Sequence, residues 1–394
     1  MATLRYGIVT YKGLRAGTLS EEPAGGTRFE YADGFREMIG FALPADRLSH
    51  DDPHGLIPFF AHLGPEGWLR QRQSAYAEID GADDFGILLA YGRDCVGAVG
   101  MEDPAGHPAS NAPKEMASSL DRAATAVERT ISGVQAKILC TGRDGLIVPA
   151  GADGPAPFIA KYPDRMLPGM IRNEATTLEL CRVLLGSEEV CDARVGTVEG
   201  VDGVGLIVRR FDRHGEAKLR CEDFMQVLNR RPGRDHQGKY DAGYEDLAAA
   251  LRRSAAPLLD ARRAFRRLAA YVLLGNVDCH MKNWSLLETP SGMRLAPVYD
   301  ALNGYIYAAQ GYTTRFGLEI DGERRQWDTY DRALLLDLAE RLGLGRRAAE
   351  TALASLARNG DRLFGHLDQP LGLPEEQAAA YRGTVREAWG RLYG

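Results

Sequence analysis

The hydrophobic periodicity of the chain changes near residue 220, and this change constrains the fold more than any other feature. Before it, short apolar segments alternate with polar residues or stand between turn residues, a pattern typical of β-strands. After it, apolar residues recur at helical spacing, as at Phe265, Leu268, Ala269 and Val272. We therefore expect an α+β fold of two lobes, β-rich and then helical. Clefts between lobes are frequent ligand sites.

Turn residues and short apolar segments predict the elements of the β-rich part. Lys12-Gly13 predicts the turn of a hairpin that follows a strand at Tyr6–Tyr11. Further on, a small, mostly antiparallel sheet with one inserted helix, Asn173–Leu185, is predicted. Its strands are Ala136–Cys140, Leu146–Pro149, Phe158–Tyr162, Arg194–Val198 and Gly205–Arg210. A polar stretch from about 102 to 121 predicts the first boundary, and the predicted domains are 1–105, 106–215 and 216–394.

Composition excludes several classes of protein. The 394 residues carry 48 Lys and Arg against 54 Asp and Glu, a net charge of −6, which does not suit a chain whose main task is to grip nucleic acid. No apolar run reaches the ~18 residues of a membrane span, and the N-terminus lacks the pattern of a secretory signal. The six cysteines are scattered without metal-site spacing. We expect a soluble, cytoplasmic protein with no membrane partner.

The densest group of chemically active side chains follows the predicted helix around Phe265. Within six positions it contains Asp278, His280, Lys282 and Asn283. Strands at Trp284–Leu287 and Met293–Val298 then predict a hairpin that ends in Tyr299-Asp300. Because the two ends of a hairpin meet, Asp300 is expected to return to the neighbourhood of Asp278 and Asn283.

These side chains together predict a magnesium site. Two carboxylates and a carboxamide are hard oxygen ligands that suit Mg²⁺ and leave positions for phosphate oxygens. Asp278 and Asn283 stand five residues apart, the separation of the catalytic Asp and the metal-binding Asn in the protein-kinase catalytic loop. For one such residue alone, a role in a turn is the ordinary interpretation. The whole set favours a site.

The strand Phe158–Tyr162 contains one lysine, Lys161. A lysine on a buried sheet face needs an anionic partner, because an isolated ammonium there is costly. Nucleotide phosphates and a helix carboxylate meet this need in kinases; Glu174 is the predicted carboxylate and Glu179 the alternative. The other interpretation is that Lys161 lies on an edge strand and reaches solvent.

Two segments flank this strand. The turn Thr130–Lys137 contains Gly133, whose neighbouring backbone N–H groups are suited to cradle phosphates, with Lys137 adding charge; one glycine turn alone is weak evidence. The run Arg209–Arg213 ends a predicted strand at the expected lobe junction. It is either an ion-pair cluster or a hinge whose backbone meets adenine, and its location favours the hinge.

Taken together, these motifs resemble the HipA family of toxin serine/threonine kinases. The resemblance rests on Thr130–Lys137, Arg210–Arg213, Glu222–Gln226, Lys239-Tyr240, Asp278–Asn283 and Tyr299-Asp300, and on Phe29–Tyr31, Pro65–Gly67 and Gly97–Val99 in the N-terminal part. It implies a bilobal, protein-kinase-like fold with a small N-terminal subdomain, a β-rich N-lobe and an all-α C-lobe. It also implies ATP and Mg²⁺ as cofactors and a HipB-like DNA-binding antitoxin as partner. The chain is then expected to associate with DNA only indirectly, through that antitoxin. The implied substrate is a protein such as an aminoacyl-tRNA synthetase.

The resemblance also implies roles for single residues. Asp278 is the expected catalytic acid/base, Lys161 the phosphate-binding lysine, and Asn283 and Asp300 the Mg²⁺ ligands. The residues expected at the nucleotide are Gly133, Gln135, Lys137, Arg209, Phe211, Gln226, His280 and Tyr299. Autophosphorylation is expected on Thr130, where serine is more usual in the family, or on Ser132.

Two other functions remain open at the level of sequence. One is a catalytically weak member of the family that acts as a co-repressor with its antitoxin, although the intact metal and base positions argue against it. The other is a small-molecule phosphotransferase, a class that shares the Asp-x-x-x-x-Asn loop but has no need of the N-terminal subdomain.

Overall fold

The computed structural model describes residues 4–106, 118–125, 129–164 and 166–394. The chain divides into two compact units: Met1–Tyr162 with Gly196–His236, and Pro163–Val195 with Gln237–Gly394. The boundary predicted near 102–121 falls in part on 107–117, outside the described residues, and the division into three domains stays a prediction. Within the described ranges, no helix is both long enough and apolar enough to cross a membrane.

The first unit begins with an antiparallel sheet in the strand order β4-β3-β2-β1-β5. Its strands are β1 (Tyr6–Tyr11), β2 (Leu14–Glu21), β3 (Thr27–Tyr31), β4 (Ser49–Asp52) and β5 (Val99–Glu102), accompanied by the helices α1 (Pro58–Ala61), α2 (Gly67–Tyr76) and α3 (Asp84–Tyr91). Lys12 and Gly13 both have positive φ, 52° and 82°, as a tight two-residue hairpin turn requires. The predicted hairpin is therefore confirmed. Val9, Phe29 and Phe60 are fully buried in the core beside this sheet.

A second antiparallel sheet in the same unit has the strand order β7-β6-β8-β10-β9. Its strands are β6 (Lys137–Arg143), β7 (Leu146–Pro149), β8 (Phe158–Lys161), β9 (Ala193–Val198) and β10 (Val201–Arg209), with helix α4 at Ser119–Thr125. This confirms the small antiparallel sheet expected from the sequence. The unit ends with the short elements β11 (Arg213–His214), β12 (Ala217–Lys218), β13 (Cys221–Asp223) and α6 (Phe224–Val227).

The second unit is mainly helical and is built around one long helix. Its helices are α5 (Met170–Leu185), α7 (Tyr244–Leu251), α8 (Pro257–Leu274), α9 (Arg332–Arg341), α10 (Arg346–Ala357), α11 (Gly360–Leu367) and α12 (Glu375–Tyr393). Helix α8 packs against α5, α7, α10 and α12. Its apolar stripe, Phe265, Leu268, Ala269 and Val272, is fully buried, which confirms the predicted helix and explains its place at the centre.

Strands in the second unit form two hairpins. The first joins β14 (Ser285–Thr289) to β15 (Gly292–Leu295), and the second joins β16 (Arg315–Ile320) to β17 (Glu323–Gln326). The first was predicted, but its second strand ends at Leu295 rather than Val298. Pro297 has no N–H for the ladder, and the Val298 N–H donates instead to the carbonyl of Glu189. Short 3₁₀ turns lie at Ser187–Glu189, Arg234–Tyr240, Met281–Asn283, Tyr305–Gln310 and Trp327–Thr329.

Candidate active site

The loop that follows helix α8 presents one carboxylate from an otherwise buried segment. The helix ends at Gly275, whose φ of 68° reverses the chain and whose missing Cβ leaves room for the Asn303 side chain. Val277 and Cys279 on the loop are fully buried, whereas the side chain of Asp278 between them is 21% exposed. The local fold therefore holds the backbone in the core and leaves the carboxylate accessible.

Both oxygens of this carboxylate are held by tyrosine hydroxyls. Tyr240 donates to Oδ1 of Asp278 at 2.8 Å, and Tyr312 donates to Oδ2 at 3.2 Å. Burial raises the pKa of Tyr312, and the negative charge of Asp278 raises it further, so the phenol stays a hydrogen-bond donor. The imidazole Nε2 of His280 lies 3.9 Å from Oδ1 and its ring packs edge-on against Tyr240. These contacts fix the orientation of the carboxylate.

Asn283 is fixed by the same loop. Its side chain is buried, and its Nδ2 donates to the main-chain carbonyl of Asp278 at 2.7 Å. Because the amide nitrogen is engaged, the carboxamide oxygen is the atom turned away from this carbonyl. The indole of the next residue, Trp284, donates to the carbonyl of Cys279 at 3.0 Å and closes the loop.

The hairpin β14–β15 returns the chain to this loop, as predicted. The Ala296 N–H donates to the carbonyl of Ser285, and the Tyr299 hydroxyl donates to the carbonyl of Lys282 at 2.8 Å. Asp300 follows with a φ of 53°. Burial raises the pKa of Tyr312 most, and the charges of Asp278 and Asp300 raise it further. The contact of Tyr299 with Lys282 thus returns the chain at Asp300 to the loop that carries Asp278 and Asn283.

This arrangement fits a magnesium ion. The Asn283 oxygen and the Asp300 carboxylate are hard oxygen donors, and Mg²⁺ is usually bound through one or two carboxylates while phosphates and water complete its shell. In the described part of the chain, no group of three or more His, Cys, Asp or Glu side chains is placed to hold a metal. The roles of Asn283 and Asp300 as Mg²⁺ ligands stay a prediction.

Two lysines lie side by side in the second sheet of the first unit. Lys137 on β6 and Lys161 on β8 are directly opposite in the antiparallel register, so their side chains share one face of the sheet. They are only 4% and 6% exposed. The interpretation that Lys161 reaches solvent is therefore wrong. The sheet therefore places two buried ammonium groups side by side on one face.

The turn before Lys137 lies against these lysines. Gly133 has a φ of 115°, and a Cβ built there would lie 2.2 Å from the Nζ of Lys137. That Nζ donates to the carbonyl of Ser132 at 3.1 Å, and Gln135 donates to the carbonyl of Tyr162. Glycine suits this position because a φ of 115° strains any other residue, and a Cβ here would displace the Lys137 ammonium.

The two hydroxyls predicted to be phosphorylated are bonded to side chains at the start of helix α2 and within it. Thr130 is 1% exposed and its Oγ1 donates to Oε1 of Gln73 at 3.0 Å. Ser132 donates at 3.0 Å to the carboxylate of Glu66, which is itself 1% exposed. In this conformation neither hydroxyl is presented to an incoming phosphoryl group.

Three residues of the run Arg209–Arg213 form a buried ion cluster: Arg210, Asp212 and Arg213. The side chains of Arg210 and Arg213 pair with Asp212 and also with Asp94, which lies far away in the sequence. The ion-pair interpretation, which the sequence left open, is thus confirmed. Adenine binding by the backbone of Arg209 and Phe211 stays a prediction; Arg209 ends β10 and its side chain is exposed.

Other predicted site residues have structural partners. Gln226 closes a capping box with Asp223, and its Nε2 donates to the carbonyl of Phe59, so its carboxamide is engaged within the first unit. Glu174 on α5 is fully buried, whereas the alternative, Glu179, is exposed. The pairing of Glu174 with Lys161, and the nucleotide contacts of Gln226, His280 and Tyr299, stay predictions.

Sequence reasoning missed Tyr312 and Arg324. Arg324 on β17 stacks over the ring of Tyr240 at 4.5 Å. Gly317 on β16 has no Cβ, and this leaves room for the backbone of Cys279 and His280 beside it. The hairpin β16–β17 therefore packs on the loop that carries Asp278. No spacing rule links positions 312–324 to 278, so this support was not visible in the sequence.

Comparison with known proteins decides the family. The model of the HipA N-terminal domain matches residues 7–102, and that of the HipA-like C-terminal domain matches residues 129–362. The chain belongs to the HipA family. The resemblance stated from the motifs is thereby confirmed.

Relatives of this HipA-family chain bear kinase names. Y4dM of Sinorhizobium fredii, which is named as a kinase by inference, is 31% identical over 318 residues. The match covers 74% of this chain and 75% of the relative. The serine/threonine-protein kinase toxin HipA of Shewanella oneidensis is 28% identical over 210 residues, 48% of this chain and 46% of the toxin.

A solved structure shows the same fold. In the complex of Shewanella oneidensis HipA, HipB and operator DNA, one chain matches with a TM-score of 0.74 and 19% identity, over 98% of this chain and 96% of that one. The fold is therefore α+β and HipA-like, which confirms the fold class expected from the sequence.

Proposed function

We propose that this HipA-family chain is an ATP- and Mg²⁺-dependent serine/threonine protein kinase. The observation that carries the proposal is the Asp278 carboxylate, which is accessible, held at both oxygens by Tyr240 and Tyr312, and joined through its own carbonyl to Asn283. An accessible, oriented carboxylate next to hard oxygen ligands is what transfer of a phosphoryl group to a hydroxyl needs.

In the proposed reaction, Asp278 accepts a hydrogen bond from the attacking serine or threonine hydroxyl and takes its proton. A carboxylate has about four lone-pair positions, and the two tyrosines occupy two of them, so acceptor capacity remains for the substrate. The tyrosines hold the carboxylate in place before the substrate arrives. This reduces the entropy that must be lost on the way to the transition state.

The remaining residues bind and orient the nucleotide. Asn283 and Asp300 are the residues that would hold Mg²⁺, and the chemistry that the ion supplies when bound is neutralisation of charge on the phosphate oxygens. Lys137 and Lys161, buried on one sheet face, pair with phosphate oxygens, and the backbone around Gly133 donates N–H groups. The two ammonium groups thus offer charge that is complementary to the phosphates.

We also propose that the chain is a toxin that a HipB-like antitoxin binds. The chain would associate with DNA only through that antitoxin. The full-length fold match to a HipA solved with HipB and operator DNA supports this proposal. The net charge of −6 also argues against direct binding of DNA or tRNA by the chain itself. The proposed substrate is a protein of the translation apparatus such as an aminoacyl-tRNA synthetase.

Incubation with γ-³²P-ATP and a bacterial extract tests the proposal. We expect label in a discrete protein band other than the enzyme, and loss of that label when EDTA removes Mg²⁺. Label found only in small molecules would assign the chain to small-molecule phosphotransferases. Absence of any Mg²⁺-dependent transfer would favour a chain that acts by binding alone.

A further inference from the structure

The hairpin β16–β17 contacts two segments of the candidate site, both within the second unit. Gly317 on β16 lies against the loop that follows helix α8, where a Cβ built on it would be 2.6 Å from the backbone nitrogen of His280. The N–H of Glu319, on the same strand, donates to the carbonyl of Ala242 at 2.9 Å. The hairpin therefore also pairs with the backbone just after Tyr240. One hairpin thus holds the loop and the segment of Tyr240 in a fixed relation.

Arg324 on β17 is the side chain of this hairpin that reaches the ring of Tyr240. Its Nε donates to the carbonyl of Phe316 at 2.8 Å, and its Nη2 donates to the carbonyl of Arg315 at 3.3 Å. Because a guanidinium is planar and rigid, these two bonds fix its plane relative to the hairpin backbone. Its central carbon then lies 4.5 Å from the centroid of the Tyr240 ring. The hairpin itself therefore sets where the cation stands.

The charge of Arg324 faces the aromatic ring and not a carboxylate. In the part of the chain that the structure describes, its guanidinium forms no ion pair with an Asp or Glu side chain. A cation over the face of a tyrosine ring is attracted by the negative face of that ring, and more strongly when the pair is partly buried, as Arg324 is. The Nζ of Lys239 is farther from the same centroid, at 5.6 Å. Arg324 is thus the nearer of the two cations at this ring.

These contacts determine where the hydroxyl of Tyr240 points. Arg324 covers a face of the ring, and the imidazole of His280 packs against the ring at a centroid distance of 5.0 Å and an angle of 84°. With its ring held in this way, the phenol donates to Oδ1 of Asp278 at 2.8 Å. Loss of the stacked cation would leave the ring free to turn, and the hydroxyl would no longer be directed at the carboxylate.

We infer that Arg324 is a positioning residue for phosphoryl transfer, and that it acts through Tyr240 on the carboxylate of Asp278. The inference rests on the proposed function, in which Asp278 is the base. Tyr312, which bonds the other oxygen of this carboxylate, stands just before the same hairpin. The hairpin β16–β17 thus governs both hydroxyls that orient the base, one by its position in the chain and the other through the stacked cation.

A double-mutant cycle on phosphate transfer from γ-³²P-ATP tests the inference. Arg324→Gln is expected to lower kcat roughly threefold to thirtyfold, the range that a cation–π contact supplies, with little change in the KM for ATP. Tyr240→Phe is expected to lower kcat at least about tenfold, because it removes a hydrogen bond to a charged group. The double variant should be no slower than Tyr240→Phe, since Arg324 then has no hydroxyl to direct. Losses that multiply in the double variant would overturn the inference.

The neighbouring arginine supplies the matched control. Arg325 is exposed and, within the described residues, also forms no ion pair with a carboxylate. Arg325→Gln removes the same charge from the same strand without touching the ring of Tyr240, so it is expected to retain the wild-type kcat. If Arg325→Gln loses as much kcat as Arg324→Gln, the effect comes from the charge of the hairpin in general, and the inference is wrong.

A crystal structure of Arg324→Gln tests the positioning without any measurement of activity. We expect the Tyr240 hydroxyl to lie beyond hydrogen-bond distance of Oδ1 of Asp278, farther than about 3.5 Å. A bond kept near its present length would show that Arg324 does not orient the phenol. If the wild-type chain transfers no phosphate, the proposed function fails, and this structure still decides whether Arg324 orients Tyr240.

Discussion

The hydroxyl of Tyr312 donates a 3.2 Å hydrogen bond to Oδ2 of Asp278, although 34 residues separate them in the chain. With Tyr240 on the other oxygen, this bond leaves the carboxylate one orientation. This fixed orientation is what the proposed role of Asp278 as the base requires.

Removal of one tyrosine hydroxyl tests this positioning. Hydrogen bonds to charged groups contribute about 1.5–3 kcal/mol, so Tyr312→Phe is expected to lower kcat at least about tenfold. The KM for ATP is expected to change little, because the phenol bonds the proposed base and is not among the residues proposed to bind the nucleotide. Tyr393→Phe, which removes a hydroxyl bonded to the Leu353 carbonyl, is the control and is expected to retain kcat. Wild-type kcat in Tyr312→Phe would contradict the positioning role.

A methyl group at position 133 is expected to disrupt the phosphate-binding turn. Ala at a φ of 115° is strained by about 1–3 kcal/mol, and its Cβ would displace the ammonium of Lys137. Gly133→Ala should therefore lower thermal stability and weaken ATP binding measured by calorimetry. Gly142→Ala on β6, where a Cβ meets nothing within 4 Å, is the matched control and should leave both quantities near wild type. If Gly133→Ala matches Gly142→Ala in thermal stability and in ATP affinity, the proposed role of the turn is wrong.

The contact between Ser132 and Glu66 predicts how modification of this loop acts. A negative group on Ser132 lies beside a buried carboxylate, so like-charge repulsion is expected to detach the turn from helix α2. Ser132→Asp should therefore weaken ATP binding. Glu66→Gln in the same chain removes the repelling charge and should restore most of the affinity. If the double variant binds ATP no better than Ser132→Asp, repulsion by Glu66 is not the cause.

Mass spectrometry addresses the phosphate itself. Chain expressed in active form is expected to carry phosphate on Thr130 or Ser132, and the Asp278 variant is expected to carry none. Thr130 is bonded to Gln73 and Ser132 to Glu66, at or within helix α2, so modification of either hydroxyl requires the segment to leave that helix first. Absence of phosphate from both residues in active chain would remove this part of the proposal.

The convergence of Asp278, Asn283 and Asp300 was predictable because it depends on local chain reversal. A turn between two short apolar strands determines the pairing Leu286 with Leu295, and pairing brings the ends together. The burial of Lys161 was one of two interpretations left open by the sequence, and the interior place of β8 in the sheet decides it. Short-range pattern was sufficient for the chain reversal alone.

The supports of the site were not predictable, because they come from packing between distant segments. Tyr312, just before the hairpin β16–β17, bonds Asp278, and Arg324 on that hairpin stacks on Tyr240, but no sequence motif indicates either contact. Asp94 meets Arg213 across 119 residues, so the ion cluster was visible in the sequence only as one of two open interpretations. The capping box that the Gln226 carboxamide closes with Asp223 was not anticipated either, and its nucleotide contact stays a prediction. Sequence spacing cannot report contacts that depend on tertiary packing.

The proposed chemistry depends most directly on Asp278, so the decisive measurement is phosphate transfer by Asp278→Asn. The substitution keeps the shape and removes the base, and general bases contribute about 10²–10⁴-fold to rate. We expect transfer from γ-³²P-ATP to fall by that factor while ATP binding, measured by calorimetry, stays close to wild type. Asp361→Asn, in the first turn of α11, is the control and should transfer at the wild-type rate. Undiminished transfer by Asp278→Asn would contradict the account.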